Sequence, residues 1–342
     1  MRSTRQSPNS MDDASITRMY LPAARDALQA FPIEPGEVTF VARSENVSFR
    51  VTDAPDRMDY VLRLHRPTYH TLEELEAERV WIRALAAAGI AVPLPLMTRD
   101  GREYATVRVA ATGETRHAGL ARWTDGEVLA ARLRHTEDVS LIERCFGQLG
   151  ATMAAMHDQA CAWDVPRTFI RQDLGADGLI GDAPFWGPFW EHPELSSTER
   201  DLLLRTRDRI RAALTRYGRR PDSFSVIHAD MHPGNLVVNG DRLTVIDFDD
   251  AGYGWHQYDI AVALVPYRKE PYYAAIEGAL VRGYRSCRTI SDDALALVPM
   301  FMLIRTLALI GWMMQRPELG RALTHEQRES VCARCVAFEP PC

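Results

Sequence analysis

The chain has 342 residues, a net charge of -6 and a pI near 6.0, so it lacks the basic excess that an ordinary nucleic-acid binder shows. Hydrophobic residues make up 46% and charged residues 25%, the balance of a globular protein long enough for one large core or two modest domains. Six irregularly spaced cysteines suggest no disulfide framework and read as reduced thiols in a cytoplasm.

The first residues are polar and lack the apolar centre of a signal peptide, so 1–20 reads as a disordered or weakly ordered tail. Short strand-like runs follow at 38–42, 48–52 and 60–64. Thr71 and Glu74 form a capping box that opens a helix reaching Gly89, a glycine stop. Strand character resumes at 104–109 and 120–123, which suggests a small sheet carrying a single helix. From about Val128 the pattern turns helical, notably at 140–156 and 195–217, with a loop rich in Trp, Phe, Gly and Pro at 164–194. The apolar run 300–314, interrupted by Arg305, is shorter than the ~20 residues a bilayer needs and reads as a buried helix. The expected fold is α+β and bilobal, with a small mixed β-sheet lobe at 21–124 and a larger, mostly helical lobe at 125–342.

The chemistry lies between Val226 and Leu264. Two β-rich runs, 236–238 and 243–246, flank Asn239-Gly240, a strong short hairpin signal. Folding that hairpin sets Asn235 opposite Thr244 or Val245, and Asp247 opposite His232 or Pro233. At ~3.3 Å per residue, Asp247, Asn235 and the loop bearing Asp230 then lie at one end of the hairpin. Magnesium takes hard oxygen ligands and, in phosphoryl transfer, one or two protein groups plus substrate phosphates. Asn235 and Asp247 fit that pair. Asp230, upstream on the loop, is placed to accept a proton from an attacking hydroxyl. The spacing His228-x-Asp230 to Asn235, followed by Asp247-Phe248, matches the catalytic loop and metal motif of the kinase fold.

Three stretches together, His228-Ala-Asp230-Met-His-Pro-Gly-Asn235, Ile246-Asp-Phe-Asp-Asp250 and Tyr258-Asp-Ile-Ala261, resemble the signature of the aminoglycoside-phosphotransferase and choline-kinase-like superfamily. The paired acids Asp249-Asp250 are also similar to bacterial stress-response kinases. The resemblance implies a protein-kinase-like fold, ATP and Mg²⁺ as cofactors, and Asp230 as the catalytic base. It implies Asn235 and Asp247 as metal ligands, Asp259 as a structural anchor and His228 as an orienting residue. In the first half, Tyr60-Val-Leu-Arg63-Leu is similar to the family's phosphate-contacting strand, with Glu78 as the acid that orients Arg63. Arg122-Trp123-Thr124 resembles the hinge whose backbone binds adenine. Lys269 is the only lysine and follows the catalytic motifs, so a Walker A loop is excluded and Arg63 must take the phosphate role. The segment before Arg63 also lacks a glycine-rich loop.

The expected partner is a small-molecule hydroxyl acceptor (an amino alcohol, amino sugar or hydroxy amino acid), with no nucleic acid and no membrane, in a monomer or homodimer. A protein Ser/Thr kinase of the stress-response type and an inactive nucleotide-binding module are the rival readings. Asp249 and Asp250 stay open between a second metal contact, a partner for a substrate ammonium and a solvated acid pair. Cys332-x-x-Cys335 has half the spacing of a zinc site and no second pair, so zinc is not expected.

Overall fold

The computed structural model describes residues 12–340 apart from 45, 135 and 321. Its first half runs α1 (Asp13–Leu28), β1 (Pro35–Arg43), β2 (Val47–Asp53), β3 (Asp59–Leu64), α2 (Leu72–Ala87), β4 (Pro95–Leu96), β5 (Ala105–Arg108) and β6 (Thr115–Arg122). The second half runs β7 (Glu127–Val128), α3 (Leu129–Leu133), α4 (Val139–Ala162), α5 (Ala176–Ile180), α6 (Ser197–Tyr217), β8 (Phe224–Ile227), β9 (Leu236–Asn239), β10 (Arg242–Val245), β11 (Gly252–Trp255), α7 (His256–Leu264), α8 (Tyr273–Cys287), α9 (Asp292–Leu295), α10 (Val298–Met314) and α11 (His325–Ala337).

The first-half strands form one antiparallel sheet in the order β1-β2-β3-β6-β4, with β5 also paired to β6. Alternation along β3 sorts its side chains. Tyr60, Leu62 and Leu64 enter the small-lobe core, while Val61 and Arg63 face the cavity between the lobes. Residues 13–20, expected within the tail, are instead the start of α1. Asp12 caps it by accepting from the Ser15 N–H, and Ile16, Tyr20, Ala23, Ala24, Ala27 and Leu28 share the face buried in the small-lobe core. Polar composition at the extreme N-terminus masked that helical spacing. The remainder of the expected tail, 1–11, lies outside the described residues.

α2 begins at the expected Thr71–Glu74 capping box, and Gly89 takes a left-handed φ of 83° just past its end. Its apolar face packs with the large-lobe core: Trp81 donates to Gln159 of α4 at 3.0 Å and meets Phe248 edge-on. This helix therefore couples the small sheet to the catalytic segment. In the large lobe α4 and α8 cross closely, since a Cβ on Gly283 would stand 1.9 Å from the Gly147 carbonyl oxygen. The run Asp292–Met314 is long and apolar enough to cross a membrane, but 72% of its most apolar stretch is buried inside the protein. α10 is thus a core helix, packed against α7 and α11.

Candidate active site

The Asn239-Gly240 signal yields a hairpin, with one shift from expectation. Asn239 still pairs with Arg242, so the two turn residues are Gly240, at φ 59°, and Asp241. The register runs on from Val245 opposite Leu236 to a bond from the Ile246 N–H to the Asn235 carbonyl at 2.9 Å. Asn235 therefore faces Ile246 rather than Thr244 or Val245. Asp247 still emerges beside the catalytic loop.

That loop is fixed by buried polar contacts. The Asp259 carboxylate accepts from the backbone N–H of His228 at 3.1 Å and of Ala229 at 2.7 Å. His157 bridges Asp259, at 3.0 Å, to the Tyr284 hydroxyl, at 2.9 Å. Burial pushes the Asp259 carboxyl up to about 6 and the His157 imidazole down to about 3, so His157 is neutral at physiological pH. The His228 ring, also lowered by burial, contacts the Ile246 carbonyl and accepts from the Asp230 N–H. Ala229 and Asp247 adopt φ of 63° and 67°, left-handed conformations that side chains other than glycine hold only when their surroundings dictate them.

Asp230 sits at the convergence. Asn235 donates its amide to Asp230 Oδ2 at 2.7 Å, and Arg305 forms an ion pair with Oδ1. Burial alone would raise the Asp230 carboxyl, but the Arg305 guanidinium, helped by His232, holds it below the ordinary carboxylate range. Asp247 goes the other way. Burial and the charges of Asp249 and Asp230 raise it, only partly offset by Arg63 at 3.0 Å. Such crowded carboxylates favour a divalent cation. With its amide nitrogen on Asp230, Asn235 has its oxygen left to give, so Asn235 and Asp247 make a hard-oxygen set of the kind magnesium takes.

Above this centre lies a cavity of about 330 Å³ between the lobes. Val61 and Ala121 of the small lobe and Val237 and Ile246 of the large lobe give it apolar walls, while Arg63, Glu78, Asn235 and Asp247 reach it from the polar side. Arg122, Trp123 and Thr124 line it as well. The Arg122 and Trp123 N–H groups are engaged by Leu94 and Asp59 at 2.9 and 3.0 Å, so among these three Thr124 is the better hinge donor. Glu78 does not pair with Arg63 as expected. Arg63 reaches past it to Asp247 and Asp249, where two carboxylates offer more charge. Burial and the nearby Asp249 push the Glu78 carboxyl up to about 7, and its buried Oε2 has no hydrogen-bond partner.

Sequence reasoning missed several contributors. Asn46, in the glycine-free loop, donates to Asp249, and His65 stands 3.7 Å from the same carboxylate. Tyr69 donates to Asp250. Asp249 therefore ties the two lobes together and is not a solvated acid. Arg171 is a buried staple, donating to the carbonyls of Glu74 at 3.0 Å, Phe248 at 3.2 Å and Ala251 at 2.6 Å. Arg305 left one signal, a charge inside an otherwise apolar helix, which required a buried partner.

A bilobal α+β chain with this loop, this acidic hairpin end and this interlobe cavity is an ATP-dependent phosphotransferase with a hydroxyl acceptor. The profile of the phosphotransferase enzyme family matches residues 37–290, and the chain belongs to that family. It is 23% identical to amicoumacin kinase of Bacillus subtilis over 90% of this chain and 88% of that protein. It is 31% identical to a homoserine kinase of Rhizobium rhizogenes over 63% of this chain and 61% of that protein. Among solved structures, a microcompartment-associated aminopropanol kinase superposes with a TM-score of 0.75 at 28% identity, covering 95% of this chain and 94% of that one. These relatives are small-molecule kinases, which favours a small-molecule acceptor over a protein one.

The cation assignment makes a direct prediction. Lys269 pairs with Glu326 at 2.8 Å on the surface, away from the cavity lining. Arg63→Ala should weaken ATP binding or turnover by about 1.5–3 kcal/mol, the range for hydrogen bonds to charged groups. Lys269→Ala should change neither, and Arg63→Lys should recover part of the loss because charge returns without the planar fork. Calorimetric ATP titration and steady-state rates check all three; wild-type behaviour of Arg63→Ala in both would remove it from the site.

Proposed function

We propose that the chain phosphorylates the hydroxyl of a small amino alcohol or hydroxy amino acid, with Asp230 as the base. The observation that carries this reading is the Asp230 carboxylate, held between Arg305 and Asn235 beside the polar end of the interlobe cavity. ATP would lie in that cavity, its purine between the apolar walls and the hinge at Thr124, its phosphates toward Arg63. Asn235 and Asp247 would hold magnesium, which when bound neutralises charge between the terminal phosphates. Asp230 orients the acceptor hydroxyl and takes its proton as the oxygen attacks the γ-phosphorus and the bond to the leaving ADP breaks. Asp259 keeps the loop in register, and Glu78 supports the phosphate side of the cavity. The small lobe up to Thr124 serves the nucleotide, and the lobe beyond it serves catalysis and the acceptor.

The aminopropanol kinase and homoserine kinase relatives support this acceptor class, since both substrates named in those proteins are small hydroxyl compounds bearing an amine. The test is a phosphorylation screen with Mg-ATP across amino alcohols, homoserine, aminoglycosides and a generic protein substrate. Turnover confined to amino alcohols or hydroxy amino acids is expected. Phosphorylation of protein alone, or ATP binding without any transfer, would reject the reading.

A further inference from the structure

We infer that Arg305 is a positioning residue for the transfer, holding Asp230 by one carboxylate oxygen so that the other is presented to the acceptor hydroxyl. This rests on the reading of Asp230 as the base and adds a residue from a different helix to it.

The argument begins with cost. α10 is otherwise an apolar core helix, with Phe301, Ile304, Leu307 and Ala308 buried around Arg305, which is itself 8% exposed. A guanidinium taken out of water there gives up its hydration, a loss that only a buried, hydrogen-bonded partner can offset. If packing alone were at stake, an apolar side chain would fill the position at least as well. The ion pair it makes is with Asp230 Oδ1, with the Asp250 charge and the Tyr258 hydroxyl acting on it more weakly.

The geometry is over-determined from three sides. Behind the guanidinium the Trp186 ring lies 5.9 Å away, itself stacked on Tyr258 at 5.8 Å and 14°. α10 packs on α7, whose Asp259 fixes the main chain of His228 and Ala229 immediately before Asp230. Adjacent helices thus hold the backbone and the side chain of one loop. Asn235 then holds Oδ2 at 2.7 Å. Each carboxylate oxygen has two lone-pair sites; Asn235 takes one on Oδ2, and His232 Nε2 lies 3.5 Å from the same oxygen, beyond good hydrogen-bond range, so an acceptor hydroxyl can compete for the second while the clamp restricts rotation of the carboxylate. Positioning within a fraction of an ångström is what such a clamp supplies.

The test is a double-mutant cycle on the full chain with Arg305→Gln, Asp230→Asn and both together. Rates are measured on the acceptor found by the screen and, in parallel, on ATP hydrolysis with water in the acceptor's place. Arg305→Gln should lower kcat by on the order of 10²-fold, the cost of misplacing a reacting group by ~1 Å, with KM for ATP nearly unchanged. Arg305→Lys should recover part of that loss. In the Asp230→Asn background the further loss from Arg305→Gln should vanish, because there is no base left to position. Equal losses in both backgrounds would make Arg305 merely structural, and a faster Arg305→Gln enzyme would make the pair an inhibitory lock; either overturns the inference. If Asp230→Asn alone runs at the wild-type rate, the base assignment itself has failed, and this inference falls with it. Arg305→Met, of similar volume, replaces Arg305→Gln in the cycle should the latter not fold.

Discussion

Asp230→Asn should reduce turnover by ~10²–10⁴-fold, the usual worth of a general base, while leaving ATP affinity nearly intact. The substitution preserves shape and removes the carboxylate proposed to take the acceptor's proton. The Arg305 guanidinium keeps the Asp230 carboxyl below the ordinary carboxylate range and Asn235 bonds it, which suits the proposed role of base. In the proposed arrangement nucleotide affinity rests on other residues, Arg63 and the apolar walls, which the change leaves in place. One side effect follows from the structure. The Arg305 guanidinium loses its carboxylate and stays largely buried, so the mutant should also melt at a lower temperature. Calorimetric ATP binding therefore serves as the check on folding: normal affinity with lost turnover supports the base, and a wild-type rate removes Asp230 from that role.

The two-lobed plan was legible because its signals are local. The capping box at Thr71, an Asn-Gly turn and period-two alternation each act over a few residues, and of these only the turn is displaced, by one residue. The motif from His228 to Asp247 was legible for the same reason, since one hairpin brings its ends together. What could not be read is what pairs residues far apart in the chain. Asn46 and Asp249 are 203 residues apart, Tyr69 and Asp250 181, and Arg305 and Asp230 75, and no periodicity encodes such pairings. The glycine-free loop illustrates the point. Its lack of glycines looked like a weakness, yet the buried Asn46 in it reaches Asp249 with its amide and accepts from the Arg66 N–H at 3.0 Å. The hairpin register slipped by one residue for a smaller reason: Asn239 ends a strand instead of opening the turn.

Asp247→Ala should abolish the magnesium dependence of ATP binding. Asp247 is raised because burial and two neighbouring carboxylates disfavour its charge, and a divalent cation would remove that repulsion. Its left-handed backbone at φ 67° turns the side chain out at the end of β10, where only Arg63 offsets it. Alanine removes the carboxylate proposed to hold the metal and at the same time releases Arg63 from its 3.0 Å ion pair. The two effects have opposite signs for ATP. Without magnesium the freed Arg63 should hold the phosphates no worse than before, so affinity in EDTA is kept or slightly improved. With magnesium the wild-type gain should disappear, a loss of at least ~10-fold, or about 1.4 kcal/mol. Paired calorimetric titrations, with Mg²⁺ and with EDTA, separate the terms. If the mutant gains as much from magnesium as the wild type does, the metal is held elsewhere and Asp247 serves only as the counter-ion of Arg63.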